Sequence, residues 1–136
     1  MKVTLDDGAY LPIRAHTYDA GLDLFAREAT TVPPFGGFRV IDTGFHVAIP
    51  QHFCGLVKSR SGLMTRGIVT DGTIDYGYTG AVKVILFNHG SYSFDVKPGD
   101  KIAQLVIVPC CLPPLEVVDS LEPTARGDNG FGSTGM

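Results

Sequence analysis

Near its C-terminal end the sequence has a glycine spacing that could hold a phosphate group. Residues 130–135 read GFGSTG, the G-x-G-x-x-G spacing that lets backbone amides approach a pyrophosphate closely. In dinucleotide-binding folds this spacing follows a strand and opens a helix whose N-terminus binds the anion. Neither element is predicted here, so the spacing indicates a phosphate contact but not a dinucleotide-binding domain.

Four other stretches are also glycine-rich and polar within an otherwise apolar sequence. They are residues 20–24 (AGLDL), 60–63 (RSGL), 72–80 (GTIDYGYTG) and 99–105 (GDKIAQL). Each pattern, taken alone, fits a structural role as well as a chemical one. Asp23 fits the outward position of an alternating strand, and Asp75 and Tyr78 fit a turn.

Two of these stretches suggest specific chemistry. Arg60, the Ser61 hydroxyl and the amides at a helix start could bind an anion, although the same residues fit a helix cap beside a surface charge. Gln104 interrupts a run of aliphatic residues, so its amide either needs buried partners or faces outward. The four histidines lack the close spacing that is typical of a metal site.

Short strands must position these residues. Alternating and β-branched segments bounded by turn residues predict strands at residues 38–41, 45–49, 53–57, 82–87, 92–96 and 102–108. Residues 88–91 are predicted as a hairpin loop and residues 97–100 as a turn. One helix is predicted at residues 59–66, with Ser59 or Ser61 as its cap and Gly67 at its end. The fold class is therefore all-β, a sandwich or jelly-roll-like barrel with one short helix.

Composition excludes several classes of function. The 136 residues are 44% hydrophobic, which suits one domain with a real core. The net charge of −3 without a basic face argues against general nucleic-acid binding, and the longest apolar stretch, residues 102–112, is too short to cross a membrane. Three cysteines without zinc spacing are expected to be reduced, mostly buried thiols in a cytoplasmic protein.

Together, and in their order along the chain, the five stretches resemble the five motifs of the trimeric dUTPase family. The matching segments are AGLDLFA at 20–26, KSRSGLMTRG at 58–67, DGTIDYGYTGAVKV at 71–84, PGDKIAQLVI at 98–107 and RGDNGFGSTG at 126–135. The resemblance therefore covers essentially the whole chain. It implies a distorted, jelly-roll-like β-barrel, in agreement with the strand pattern, and the hydrolysis of dUTP to dUMP and pyrophosphate.

The resemblance also implies roles for single residues. Asp75 is the expected general base, which orients a water for attack on the α-phosphorus. Tyr78 is expected under the deoxyribose, where it leaves no room for a 2′-hydroxyl. The uracil base is expected to meet the backbone of a hairpin formed by four residues, Gly72, Thr73, Ile74 and Lys83.

The triphosphate and its cation are expected to contact the remaining motifs. Arg60, Ser61 and Gly62 would hold the α- and β-phosphates, and Gln104 the α-phosphate or the attacking water. Mg²⁺ is the expected cofactor, held mostly by phosphates and waters, with Asp23 touching it only through water. The C-terminal residues expected to bind substrate are Arg126 at the terminal phosphate, Phe131 on the uracil ring, and Gly132, Ser133 and Thr134.

The resemblance further implies a homotrimer whose three active sites are each built from all three chains. Residues 1–121 would form the β domain, and residues 122–136 a flexible arm that closes over a neighbouring subunit's active site. Ser59 stands where the family usually has a proline, which is expected to alter a loop and not the chemistry.

Two alternatives stay open at this point. One is the related dCTP deaminase, although the Arg-Ser-Gly at residues 60–62 and the lack of an obvious acid to activate water at cytosine argue against it. The other is a trimeric regulatory or binding protein that kept the fold without the chemistry. A further protein partner is neither predicted nor excluded by the sequence.

Overall fold

The computed structural model describes residues 1–130, which form eleven short strands and one helix. The strands are β1 (Val3–Leu5), β2 (Gly21–Phe25), β3 (Thr30–Val32), β4 (Gly37–Asp42), β5 (Phe45–Val47), β6 (Phe53–Lys58), β7 (Ile68–Val69), β8 (Asp71–Ile74), β9 (Lys83–Asn88), β10 (Phe94–Val96) and β11 (Lys101–Pro109), and the helix is α1 (Ser61–Met64). The predicted all-β class with one short helix is confirmed.

The strands form four antiparallel sheets. The largest has the order β2-β11-β6-β8, the next has the order β4-β9-β7, and β1-β5 and β3-β10 form two-stranded sheets. β11 is central in the largest sheet, where Gln104 lies opposite Asp23 on β2 and opposite Lys58 on β6. Three of the predicted motifs therefore meet around one position of the sheet.

The core follows from the period-two alternation that the strands carry. Along β9, Val84, Leu86 and Asn88 are buried, whereas Lys83, Ile85 and Phe87 point outward. Side chains from both large sheets pack into one hydrophobic cluster, and their burial is the main force that holds the sheets together.

The hairpin predicted at residues 88–91 is wrong. β9 pairs with β4 and β7, while β10 pairs with β3 in another sheet. The buried Asn88 explains the crossing between sheets, because its side-chain amide donates to the carbonyls of Val32 and Tyr92 and its oxygen accepts from the Gly90 amide. The turn predicted at residues 97–100 is confirmed, with Gly99 at φ 84°.

The helix is shorter than predicted and is not capped by serine. Arg60 is the N-cap residue and makes no side-chain capping bond within the described chain. Ser59 instead bonds both backbone groups of Thr70, donating to its carbonyl and accepting from its amide at 2.8 Å each. Gly67, at φ 76°, follows the helix end as predicted. Ser59 thus ties the chain before α1 to the segment between β7 and β8.

The chain beyond β11 is exposed as far as the structure describes it. Residues 111–130 are all exposed, including five apolar side chains, Leu112, Leu115, Val117, Val118 and Leu121. The boundary between residues 121 and 122 stays a prediction. The expected burial of the thiols is wrong, since Cys54 and Cys110 are half-buried and Cys111 is exposed. No helix in residues 1–130 is long and apolar enough to span a membrane.

Candidate active site

Asp23 lies at the centre of a charged cluster on β2. Its side chain is only 13% exposed, and each carboxylate oxygen meets a cation. Arg60 Nε lies 3.0 Å from Oδ1, and Lys101 Nζ lies 2.8 Å from Oδ2. The interpretation of Asp23 as a plain outward strand residue is therefore wrong. A largely buried carboxylate between two cations fixes both of them in place.

Arg60 is held by a second contact as well. Its Nη1 donates to the backbone carbonyl of Lys101 at 3.3 Å. The guanidinium carries five N–H donors, so these two bonds fix its plane and leave further donors for a ligand. Lys101 was not predicted as a site residue. Its charge and its position in the GDKIAQL stretch were the available signals.

Gln104 packs over β2 and reaches the chain before the helix. Its Nε2 donates to the carbonyl of Ser59 at 3.0 Å, so the amide has a partner. The side chain is half-buried and lies on the cleft side of β11, opposite the buried Ala103 and Leu105. A Cβ on Gly21 would lie 2.3 Å from Gln104 Oε1, so a side chain at this position would displace the amide. Gly21 was likewise not predicted as a site residue, and its position in the AGLDL stretch was the only signal in the sequence.

These side chains line an open cleft with a volume of about 360 Å³. The predicted residues that share it are Asp23, Arg60, Ser61, Gly62 and Gln104. A Cβ on Gly62 would meet nothing within 4 Å, so the backbone there is open to an approaching ligand. A cleft with a fixed arginine, a serine hydroxyl and accessible backbone amides suits a phosphate group.

The second group of predicted residues lies on β8 and in the turn after it. Gly72, Thr73 and Ile74 belong to β8, and Asp75 and Tyr78 follow it. The backbone amide of Tyr78 donates to the Asp75 carbonyl. The Tyr78 hydroxyl donates to the Ala81 carbonyl at 3.0 Å, and the Tyr78 ring covers Gly80.

β8 and β9 pair in different sheets, so the predicted hairpin around residues 72–83 is a connection between two sheets. Lys83, the fourth residue predicted to contact the uracil ring, is exposed at the start of β9.

Asp75 is exposed and lies beside a thiol. Burial raises the pKa of the Cys54 thiol above its ordinary value, and the neighbouring Cys110 and the Asp75 carboxylate raise that pKa further. Cys54 therefore stays protonated near neutral pH.

Asp75 and Arg60 lie far apart within one chain. Ile74 on β8 lies opposite Gly55 on β6, which puts Asp75 beside the start of β6, whereas Arg60 follows the end of that strand. Six residues of extended chain correspond to roughly 20 Å. A single chain thus carries a phosphate cleft and, separately, a turn with a carboxylate and a tyrosine.

The remaining predicted residues belong to the C-terminal segment. Arg126 is exposed, and its Nε donates to the carbonyl of Asn129. Four further residues predicted to bind substrate lie outside the described residues: Phe131, Gly132, Ser133 and Thr134. Within residues 1–130, no three His, Cys, Asp or Glu side chains are grouped so as to hold a metal ion.

Comparison with known proteins connects this geometry to a family. The family model described as dUTPase matches residues 7–135. The chain belongs to the dUTPase family. The deoxyuridine 5′-triphosphate nucleotidohydrolase of Gloeothece citriformis is 44% identical over 100% of this chain and 97% of its own length. That of Variola virus is 44% identical over 92% of this chain and 85% of its own.

Solved structures of dUTPases have the same fold. The dUTPase of Staphylococcus bacteriophage 80alpha with dUPNHPP superposes with a TM-score of 0.92 at 32% identity, covering 99% of this chain and 98% of that one. The dUTPase of phage phi11 of S. aureus, a variant with a structural Mg(II) ion, has a TM-score of 0.81 at 31% identity over 90% of this chain and 98% of that one. The predicted jelly-roll-like dUTPase fold is thereby confirmed.

Proposed function

We propose that this member of the dUTPase family hydrolyses dUTP to dUMP and pyrophosphate. One observation carries the proposal: the dUTPase match spans the chain from residue 7 to residue 135 and includes both groups of site residues. The relatives are named for hydrolysis of deoxyuridine triphosphate, so the dCTP deaminase alternative is not favoured. Hydrolysis of dUTP keeps uracil out of DNA and supplies dUMP for thymidylate synthesis.

The reaction is a displacement at the α-phosphorus. The Asp75 carboxylate accepts a hydrogen bond from a water and takes its proton as the water oxygen bonds to the α-phosphorus. The bond from that phosphorus to the bridging oxygen breaks, and pyrophosphate leaves with the electron pair. Arg60, Ser61, Gly62 and Gln104 hold the phosphates in line for this attack, so that positioning and charge neutralisation lower the barrier.

The cleft fits Mg²⁺ as an outer-shell partner of Asp23. The carboxylate offers about four lone-pair positions, of which Arg60 and Lys101 occupy two. The others can accept hydrogen bonds from metal-bound waters, which Mg²⁺ retains readily. When bound, the ion neutralises the triphosphate charge. A structural Mg(II) ion in the phi11 dUTPase supports a role for magnesium in the family.

Base and sugar selection is assigned to the Asp75 turn. The backbone of Gly72, Thr73 and Ile74, with Lys83, reads the uracil edge. The Tyr78 ring supports the deoxyribose, and its hydroxyl is already fixed on the Ala81 carbonyl. A ring held in this way leaves no space for a 2′-hydroxyl, which excludes UTP.

The active site is shared between the chains of a homotrimer. The roughly 20 Å between Asp75 and Arg60 along β6 is too far for one nucleotide to use both as described, so the Asp75 turn of one subunit faces the Arg60 cleft of the next. A third chain supplies Arg126, Phe131, Gly132, Ser133 and Thr134 from the arm that begins at residue 122.

An exposed apolar face supports association of the chains. On the sheet of β4 and β9, Phe38 pairs across from Phe87 and Val40 from Ile85, and all four side chains are exposed. A contiguous apolar patch of this kind is typical of a protein interface. The five exposed apolar residues of segment 112–121 offer a second contact surface.

We place the enzyme in the cytoplasm, because its three free cysteines suit a reducing compartment. Release of pyrophosphate from dUTP, compared with dCTP, dTTP and UTP, tests the function. Turnover of dUTP alone is the expected result, whereas ammonia release from dCTP would favour the deaminase.

A further inference from the structure

His46 on β5 joins the Tyr78 turn to the N-terminal segment. Its Nδ1 lies 2.8 Å from the backbone oxygen of Thr79, and its Nε2 lies 3.1 Å from Asp6 Oδ1. The side chain is 26% exposed. The ring therefore bridges two parts of the chain that are far apart in sequence, and one of them is the residue directly after Tyr78.

Both partners of the ring are hydrogen-bond acceptors. A backbone carbonyl cannot donate, and neither can an ionised carboxylate. Neutral imidazole carries one donor and one acceptor nitrogen, so it can satisfy only one of these contacts and would point a lone pair at the other oxygen. Only the imidazolium ion, in which both nitrogens donate, can satisfy the two contacts at once.

The surrounding charges favour that cation. The Thr79 carbonyl is the largest influence that raises the pKa of His46 above its ordinary value, burial opposes it, and the Asp6 and Asp42 carboxylates add to the rise. Arg27 lies on the far side of both carboxylates, 3.2 Å from Asp6 and 3.6 Å from Asp42. The other charged side chains around this network are Lys2, on the same hollow as His46, and Glu28 beside Arg27.

The turn that His46 contacts, residues 78–80, is the part of the proposed site next to the sugar. Its far end is already fixed, since Thr43 Oγ1 donates to the Val82 carbonyl and the Val82 amide donates to Phe45. Between Asp75 and Val82, the backbone oxygen of Thr79 is in contact with the His46 ring, which comes from outside the turn. Losing that contact frees the backbone next to Tyr78 while Val82 stays in place.

We propose that the His46 imidazolium is a positioning residue, which holds the turn of residues 78–80 in its binding geometry and makes dUTP binding sensitive to pH. The inference rests on the proposed function of Tyr78. As the pH rises and His46 loses one proton, the remaining N–H goes to the charged Asp6 acceptor, which forms the stronger hydrogen bond. The Thr79 contact is then the one that is lost.

NMR titration of the intact protein tests the tether without turnover. The C2 proton of His46 reports its protonation, and the Gly80 amide reports the hydrogen bond on the Thr79 carbonyl. The two signals are expected to titrate together, with a midpoint above the ordinary pKa of histidine, and Asp6→Asn should lower that midpoint. A Gly80 amide that stays constant while His46 titrates would overturn the proposal.

Two matched variants test the effect on substrate binding. Asparagine places its amide nitrogen near the position of Nδ1 and keeps the Thr79 contact, whereas glutamine reaches the position of Nε2 and keeps only the Asp6 contact. His46→Gln is expected to raise KM for dUTP about 2- to 10-fold relative to His46→Asn, the effect of one net hydrogen bond. kcat should change less, since Asp75 and the phosphate cleft are untouched.

The pH profile separates this role from a merely structural one. The ratio of the wild-type KM to that of His46→Asn should be near one at low pH and rise about 2- to 10-fold through the His46 midpoint. A ratio that does not depend on pH, or equal KM values for the two variants, would overturn the proposal. If dUTP is not turned over at all while the NMR signals still titrate together, the tether stands and the dUTP assignment fails.

Discussion

The proposed sharing of the active site between chains can be tested by mixing two variants that are each expected to be inactive. Asp75→Asn removes the proposed base, and Arg60→Ala removes the fixed guanidinium of the phosphate cleft. Each homogeneous protein is expected to lose activity by about 10²-fold or more. The two substitutions lie roughly 20 Å apart in one chain, and both residues lie outside the hydrophobic core, so each variant should still fold.

The expected activity of the mixture follows from random assembly of the two variants into trimers. In the proposed trimer, each site takes its Asp75 from one chain and its Arg60 from a neighbour. A site is intact when the first chain is the Arg60 variant and the second is the Asp75 variant, each of which happens half of the time. Co-refolding equal amounts should therefore restore about one quarter of the wild-type specific activity.

The assay is pyrophosphate release from dUTP after the variants are co-refolded, beside co-refolded wild type. A matched control mixes Asp75→Asn with a double variant that carries both substitutions. That mixture forms the same trimers without any wild-type Asp75, so it should stay inactive. If the first mixture is no more active than its separate parents while wild type recovers, the shared site is refuted.

Three further predictions follow from single contacts. Gly21→Ala puts a Cβ 2.3 Å from the side-chain oxygen of Gln104, so kcat/KM for dUTP should fall about 10- to 100-fold, while the circular dichroism spectrum stays unchanged. Unchanged kinetics would show that catalysis does not need Gln104 in its present position. Asn88→Leu leaves two carbonyls and one amide unpaired and should destabilise the fold by about 2–5 kcal/mol in urea unfolding, whereas a change below about 1 kcal/mol would contradict the structural role. The Lys58 ammonium holds the pKa of Asp71 below its usual range, so this pair stabilises the folded state above the ordinary pKa of aspartate and loses its effect as the pH falls through the lowered value. Wild type should therefore have a higher Tm than Lys58→Met at neutral pH, and the difference should shrink as the pH falls through the lowered pKa of Asp71. A difference that does not depend on pH would contradict the pairing.

The longer strands could be predicted from sequence because they carry enough alternation. β9 and β11 span six and nine residues. The buried positions of β9 follow the period of two, and β11 departs from it only where Ile102 and Ala103 are both buried, beside a register irregularity. β1, β3 and β7 span only two or three residues, too few for a periodic signal, so their pairing comes from tertiary contacts. The Asn88 loop resembles a hairpin turn locally, and only the buried contacts of Asn88 show that the chain crosses to another sheet.

The site residues could be named from the five motifs, but their contacts could not. The alternation around Asp23 indicated an outward position, because no local pattern shows that Arg60 and Lys101 meet it from distant parts of the chain. Ser59 fitted a helix cap by its type, yet its hydroxyl bonds to Thr70 across the loop. Long-range partners of this kind depend on the sheet order, which one sequence does not specify.

The most direct test of the proposed function is the rate of pyrophosphate release from dUTP with and without Mg²⁺, for the wild type beside Asp75→Asn. The same assay with dTTP, dCTP and UTP measures selectivity. We predict magnesium-dependent release from dUTP alone and its loss in the variant, because the carboxylate is needed to activate water. No release from dUTP, or equal release by both proteins, would contradict the assignment of this chain as a dUTP hydrolase with Asp75 as its base.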